Sequence, residues 1–278
     1  MENHNKLKDD IKNLLNISHD HAKKTRDFIL DLIFPIECLA CGHEGEWLCG
    51  RCFSRLNFKE GQYCLGCKRP DRYGRFCSGC APAYRLEGVW IAGDYENKIL
   101  AKMIKSLKYH FARDLAAILG LYLSLFLRDL LTRSRLSGIH LGPGLGKRDL
   151  DRLKDVPGVL LDLSRTTIMP VPLHKKRERW RGFNQAFFLA RSLADKFGLD
   201  LRGGLVRARH KKPQAKLTEI ERLANIRDCF AWTGNPLEGR NVILIDDVVT
   251  TGSTLNECAR VLKDAGAGEV WGLVVAKG

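Results

Sequence analysis

Residues 242–255, Val-Ile-Leu-Ile-Asp-Asp-Val-Val-Thr-Thr-Gly-Ser-Thr-Leu, carry the densest chemistry in the sequence. Four apolar residues lead into the adjacent Asp246 and Asp247, and a hydroxyl-rich turn with one glycine follows. The pattern reads as a strand, a tight loop over Val248–Ser253 and a helix. The acids then sit at the strand's carboxyl end, where open parallel sheets bind ligands. Backbone N–H groups of Val248, Val249 and the turn converge on a point suited to a phosphate. Gly252 lets the backbone approach closely, and Thr250, Thr251, Ser253 and Thr254 add hydroxyl donors. The two carboxylates can accept hydrogen bonds from ribose hydroxyls and attract Mg²⁺, usually through water. A polar strand end with a threonine-rich cap would explain a lone Asp-x-x-Thr. It does not explain fourteen such residues in a row.

A second constellation lies upstream. Eight of the ten cysteines form four Cys-x-x-Cys pairs: Cys38/Cys41, Cys49/Cys52, Cys64/Cys67 and Cys77/Cys80. Each such turn aims two thiolates at one ion, so four turns complete two tetrahedral Zn²⁺ sites. Redox proteins share the spacing of a single pair, but four in tandem point to metal. Sequential pairing gives two short ribbons; pairing the first turn with the third is the open alternative. Four thiolates leave no position for water or substrate, so both ions should be structural. The segment has too little apolar content to fold unaided, and metal binding would supply its folding energy. Cys229 and Cys258 lie apart, in segments read as helical, and are expected to be small buried hydrophobes.

The elements that must position these residues follow from periodicity. Residues 5–33 carry apolar positions at helical spacing, an N-terminal extension spanning 1–33. The double ribbon spans 34–83, and an α/β domain spans 84–278. In that domain Val89–Ala92 reads as a strand, Asn97–Lys108 as a basic helix and Asp114–Leu131 as a long apolar helix. Residues 132–165, with Gly-Pro-Gly-Leu-Gly at 142–146, read as an irregular insertion. Thr166–Val171 is a strand ended by Pro172, and Asn184–Phe197 a helix stopped by Gly198. Thr218 and Glu221 form a capping box. Val242–Ile245 is a strand buried on both faces. Ser253–Ala265 is a helix stopped by Gly266, and Glu269–Val275 the last strand. Strand–helix–strand order implies a parallel sheet flanked by helices, with right-handed crossovers.

Charge narrows the partners. The formal net charge is +14, and residues 172–216 hold 13 basic against 3 acidic groups. Solvated surfaces usually interleave both signs, so this stretch implies an anionic partner, a phosphorylated small molecule or nucleic acid. Trp180 and Phe183 among Lys175, Lys176, Arg177, Arg179 and Arg181 resemble a stacking-plus-charge surface for single strands. The start, Met-Glu-Asn-His-Asn-Lys, lacks a signal-peptide layout. The longest apolar run, Leu115–Leu127, is too short to cross a bilayer. A cytoplasmic protein with no membrane span is expected.

Residues 242–255 resemble the phosphoribosyl pyrophosphate loop of type I phosphoribosyltransferases. Together with the four Cys-x-x-Cys turns, the chain resembles the ComF family of double-zinc-ribbon, phosphoribosyltransferase-like proteins linked to natural competence. Leu32-Ile33-Phe34-Pro35, Pro170-Val171-Pro172-Leu173, Arg181-Gly182-Phe183-Asn184-Gln185 and Gln214…Leu217…Glu221-Arg222…Asn225 match it as well. The resemblance covers most of 32–276 and lapses at 132–165 and at the N-terminal extension. It implies a type I phosphoribosyltransferase fold behind an N-terminal double zinc ribbon with four cysteine ligands to each ion. It also implies that Asp246 and Asp247 hold the ribose and that Thr250–Thr254 cradle the 5′-phosphate. Pro172–Gln185 falls where these enzymes handle pyrophosphate, and Arg177 and Arg181 suit that task through their guanidinium forks. A plain helix start with Phe183 packed as a staple is the competing reading of Arg181–Gln185.

In a transferase, pyrophosphate would leave C1′ of the ribose as an acceptor attacks. Asp246 and Asp247 would favour the cationic sugar, and Mg²⁺, Arg177 and Arg181 the departing polyanion. Three roles fit: a competence factor handling incoming single-stranded DNA alongside other competence proteins, a metabolic phosphoribosyltransferase with an unknown acceptor, or a non-catalytic phosphoribosyl pyrophosphate sensor. A homodimer is expected by analogy alone.

Overall fold

The computed structural model describes residues 36–109, 113–133, 163–208 and 228–278. The helical extension 1–33, most of the insertion 132–165 and the Thr218–Glu221 capping box lie outside the described residues. The chain divides into two compact units at Arg55/Leu56. That boundary falls inside the segment read above as one ribbon module, because the second ribbon shares an apolar cluster with the α/β domain.

In the first unit, Cys38, Cys41, Cys49 and Cys52 bring their sulfurs within 4.8 Å of one another, beside the one-turn helix α1 (Gly50–Phe53). In the second unit, Cys64, Cys67, Cys77 and Cys80 do the same. The grouping is sequential. Sulfur–sulfur separations of 3.9 and 3.8 Å in the first site and 3.9 and 3.6 Å in the second can be tested against the metal. A zinc ion with bonds near 2.3 Å sets the tetrahedral edge at about 3.8 Å, so both sets fit.

The second unit continues with β1 (Gly88–Asp94), α2 (Lys98–Tyr109) and α3 (Arg113–Arg133). Next come β2 (Thr166–Pro170), α4 (Lys175–Arg181), α5 (Gln185–Phe197), β3 (Asp200–Leu201) and β4 (Leu205–Arg207). After β5 (Phe230–Trp232), the chain closes with β6 (Asn241–Val249), α6 (Ser253–Asp264) and β7 (Val270–Lys277). Five strands form one sheet in the order β1-β7-β6-β2-β3, every pair parallel. β4 and β5 form a separate antiparallel pair, Leu205 opposite Trp232 and Arg207 opposite Phe230.

Alternation along the strands assigns the two faces. Val89, Ile91, Met169, Val171, Val242, Leu244, Val270 and Val274 join one buried cluster with Leu255, Cys258 and Leu262 of α6. Cys64, Leu65 and Phe76 of the second ribbon belong to the same cluster. The other face meets α3 and α5. Those two helices approach closely at Gly120, where an added Cβ would lie 2.3 Å from the Ser192 hydroxyl. With both faces covered, near-continuous apolar strands such as Val242–Ile245 are what a parallel sheet requires. No helix among the described residues is long and apolar enough to cross a membrane.

Two local readings are corrected. β6 does not stop at Ile245: Val248 pairs with Ala276 and Val249 with Lys277, so both acids lie within the strand and the loop shrinks to Thr250–Gly252. Cys229 precedes β5 instead of lying in a helix, although it is fully buried as expected.

Candidate phosphoribosyl site

The loop and its neighbours meet at the carboxyl end of β6. Gly252 takes a left-handed conformation, φ 80°, that turns the chain from strand into α6, and it caps the helix without a side-chain hydrogen bond. The Ser253 N–H donates to Thr251 Oγ1 at 3.4 Å, and the next N–H groups of α6 lie at the positive end of the helix, where an anion is favoured. Thr250 is exposed, Thr251 and Thr254 are partly buried, and Ser253 is buried. The Thr251 and Ser253 hydroxyls hydrogen-bond to each other at 2.5 Å, which leaves one hydroxyl proton of the pair for a ligand.

Adjacent strand residues point to opposite faces, so Asp246 and Asp247 do different work. Asp247 is only 5% exposed. Lys108, at the end of α2, places its ammonium 3.0 Å from one Asp247 oxygen. Gln185, in the first turn of α5, donates its amide to the other at 3.0 Å. Arg181 in turn donates Nη1–H to Gln185 Oε1 at 3.0 Å. A continuous polar chain therefore runs from α4 through α5 and β6 to α2. Sequence reasoning found Arg181 and Asp247, carried Gln185 only as the end of the Arg181–Gln185 motif without a role of its own, and missed Lys108. Lys108 ends a helix, where a lysine suits the dipole without needing a buried partner.

Asp246 is partly buried on the other face, and its Oδ1 accepts the Asp247 backbone N–H at 2.8 Å. Burial, reinforced by the Asp247 charge, pushes its carboxyl up to about 7, while Lys108 and Arg207 draw it down. Arg207 of β4, also missed, lies over the Phe230 ring at 5.3 Å. Burial lowers its pKa, and the nearby Arg177 charge adds to that effect. Arg207 is thus a cation close to Asp246, and Arg177, from a separate element, lies close to Arg207. The native state holds the Asp246 proton more tightly than the unfolded chain does. The Asp246 contribution to stability therefore falls as pH rises from the ordinary carboxylate range towards about 7. Without divalent metal, Asp246→Asn is expected to flatten that slope, read as a smaller difference in Tm between pH 5 and pH 8.

The segment read as a pyrophosphate loop contains α4. His174 caps it by accepting the Lys176 N–H at 3.2 Å, and Gly182 ends it at φ 75°. Arg181 is buried inside the chain just described, and Arg177 is partly buried. Asn184 caps α5 through the Ala186 N–H. Phe183 packs edge-on to Phe188 with centroids 5.6 Å apart. That is the contact of a hydrophobic staple across a helix start. Of the proposed stacking pair, only Trp180 is exposed, at 62%; Phe183 is buried. Burial pushes the Cys258 thiol well up, as expected of a packed side chain and not of a nucleophile.

Comparison with known proteins identifies both parts of the chain. Residues 29–81 match the model of a double zinc ribbon domain. Residues 184–277 match that of a phosphoribosyl transferase domain. Ribbon and domain together define the class: a phosphoribosyltransferase-domain protein carrying two structural four-cysteine sites. DNA utilization protein YhgH of Escherichia coli is 30% identical over 241 residues, 84% of this chain and 91% of that protein. Competence protein F of Haemophilus influenzae is 40% identical over 114 residues, 39% of this chain. Competence protein ComFC of Bacillus subtilis is 43% identical over 100 residues, 36% of this chain. The chain spans 50% and 39% of those two competence proteins. It belongs to the ComF family.

Proposed function

We propose that the chain binds phosphoribosyl pyrophosphate with Mg²⁺ at the β6–α6 loop and acts on incoming single-stranded DNA in the cytoplasm during natural competence. The observation that carries the first half is the glycine-capped start of α6, with the Thr251 and Ser253 hydroxyls beside it and a buried, braced Asp247 in the preceding strand. The 5′-phosphate takes the helix-terminal N–H groups and the hydroxyls of Thr250–Thr254. Asp246 would serve the ribose and hold Mg²⁺ through water, and Asp247, buried against Lys108 and Gln185, would hold that end of the strand in place beside it. Mg²⁺ would neutralise charge on the pyrophosphate. Arg207, whose charge acts on Asp246, and Arg177 near it would supply guanidinium groups for the same polyanion. The competence role draws on the relatives named above and on the exposed Lys175, Lys176, Arg179 and Trp180 of α4.

Calorimetry tests the ligand. Binding of phosphoribosyl pyrophosphate with Mg²⁺ that vanishes in Asp246→Ala/Asp247→Ala is expected; no binding at millimolar ligand overturns the site. Turnover without DNA would instead make the chain a metabolic transferase. For DNA, each neutralised phosphate contributes about 0.7 to the salt slope on single strands. Lys175→Ala/Lys176→Ala/Arg179→Ala should thus reduce the slope of log affinity against log salt by about 2. An unchanged slope would remove α4 from the DNA surface.

A further inference from the structure

The second zinc ribbon does more than stand beside the α/β domain: one of its turns closes over the phosphate loop. Leu65 lies between the ligands Cys64 and Cys67 and is 8% exposed. Its Cδ2 lies 2.6 Å from where a Cβ on Gly252 would sit, so the leucine covers the glycine that turns β6 into α6. A side chain at position 252 would occupy that space, and the left-handed φ of 80° already disfavours one. Further contacts fix the same turn. Asn256 donates its N–H to Gly252 O at 2.8 Å, closing the first turn of α6. Its side chain then reaches the ribbon's exit: Oδ1 accepts the Arg85 N–H at 2.6 Å and Nδ2 donates to Ala83 O at 3.3 Å. Tyr84 stacks on Phe76 of the ribbon at 3.8 Å. Apolar packing thus holds Gly252 at the start of the turn, and hydrogen bonds hold Asn256 at its end.

We infer that the second ribbon is a metal-held brace on the phosphate loop, with Leu65 as a positioning residue for the 5′-phosphate. The turn Cys64–Cys67 is itself shaped by the ion its thiolates bind, so zinc at this site sets where Leu65 presses on Gly252. Losing the ion would free Leu65 and let residues 250–256 sample conformations in which their N–H groups no longer converge. The inference rests on the proposed phosphoribosyl site for its ligand, but not for the brace itself.

The test uses the full chain as Leu65→Ala, Leu65→Met and Cys67→Ser, with zinc content, hydrogen exchange and phosphoribosyl pyrophosphate affinity measured on each. Leu65→Ala should keep two zinc ions yet speed amide exchange at 250–256 more than elsewhere. Its affinity should fall about ten- to a hundredfold, the scale of effect from small misplacement of a binding group. Leu65→Met, of similar volume, should restore both. Cys67→Ser should lose one zinc and speed exchange over the same residues. Unchanged exchange at 250–256 in both Leu65→Ala and Cys67→Ser overturns the brace, as does acceleration in Leu65→Ala, which keeps both zinc ions, spread evenly over the sheet. If the wild type binds no phosphoribosyl pyrophosphate, the proposed function fails, and the exchange data still decide the brace.

Discussion

Asp247→Ala is expected to abolish phosphoribosyl pyrophosphate binding and to lower Tm on the order of 10 °C, read by calorimetry on the same sample. The stability loss follows from what the carboxylate holds. Lys108 ends 3.0 Å away, and the two side chains are 20% and 7% exposed. Removing one member of such a pair leaves the other charge buried and uncompensated, which costs about 3–5 kcal/mol. A domain of this size loses about 2–4 °C per kcal/mol. Gln185 would also lose the acceptor for its amide and, with it, the link to Arg181. The pair itself need not stabilise the fold, because desolvating both charges offsets much of their attraction. Lys108→Met should therefore recover most of the lost Tm when combined with Asp247→Leu, yet binding should stay lost. Equal Tm for wild type and Asp247→Ala would mean that the ion pair is not formed in solution.

That network also marks the limit of what the sequence discloses. The β6 strand was legible because four successive apolar residues fit a strand covered on both faces, and α5 because Asn184 and Gly198 are strong end signals. The zinc ligands were legible from spacing alone. The end of β6 was not, since two aspartates look like a strand terminus. Only pairing with β7, from Val248 to Ala276 and Val249 to Lys277, carries the strand past them. Helix α4, Lys-Lys-Arg-Glu-Arg-Trp-Arg, has no apolar stripe to register as a period; His174 and Gly182 were its only signs. Strands β4 and β5, three residues each, are too short for alternation to show. Lys108 and the role of Gln185 escaped because their partner is 139 and 62 residues away along the chain; single-sequence reading sees periodicity but not which elements become neighbours.

Removing zinc should have the largest effect of all, and a different one at each site. Structural Zn²⁺ contributes about 10–16 kcal/mol to folding in small zinc peptides at neutral pH. Among residues 36–55, the buried apolar side chains are Leu48 and the ligands Cys38, Cys49 and Cys52. Without the ion this unit has almost no core, so Cys38→Ser should release one zinc and bring amide exchange over 36–55 close to that of an unfolded chain. The second site stands on other ground. Cys64, Leu65 and Phe76 are built into the cluster that holds Val89, Val249 and Leu255. Cys64→Ser should therefore lower the main unfolding transition of the α/β domain as well as release its own zinc. Two zinc ions per wild-type chain and one in each variant are the expected contents. Exchange that quickens around Cys64 and Cys67 in the Cys38→Ser chain would overturn the sequential grouping, because crossed pairing is the arrangement in which losing Cys38 opens the third turn.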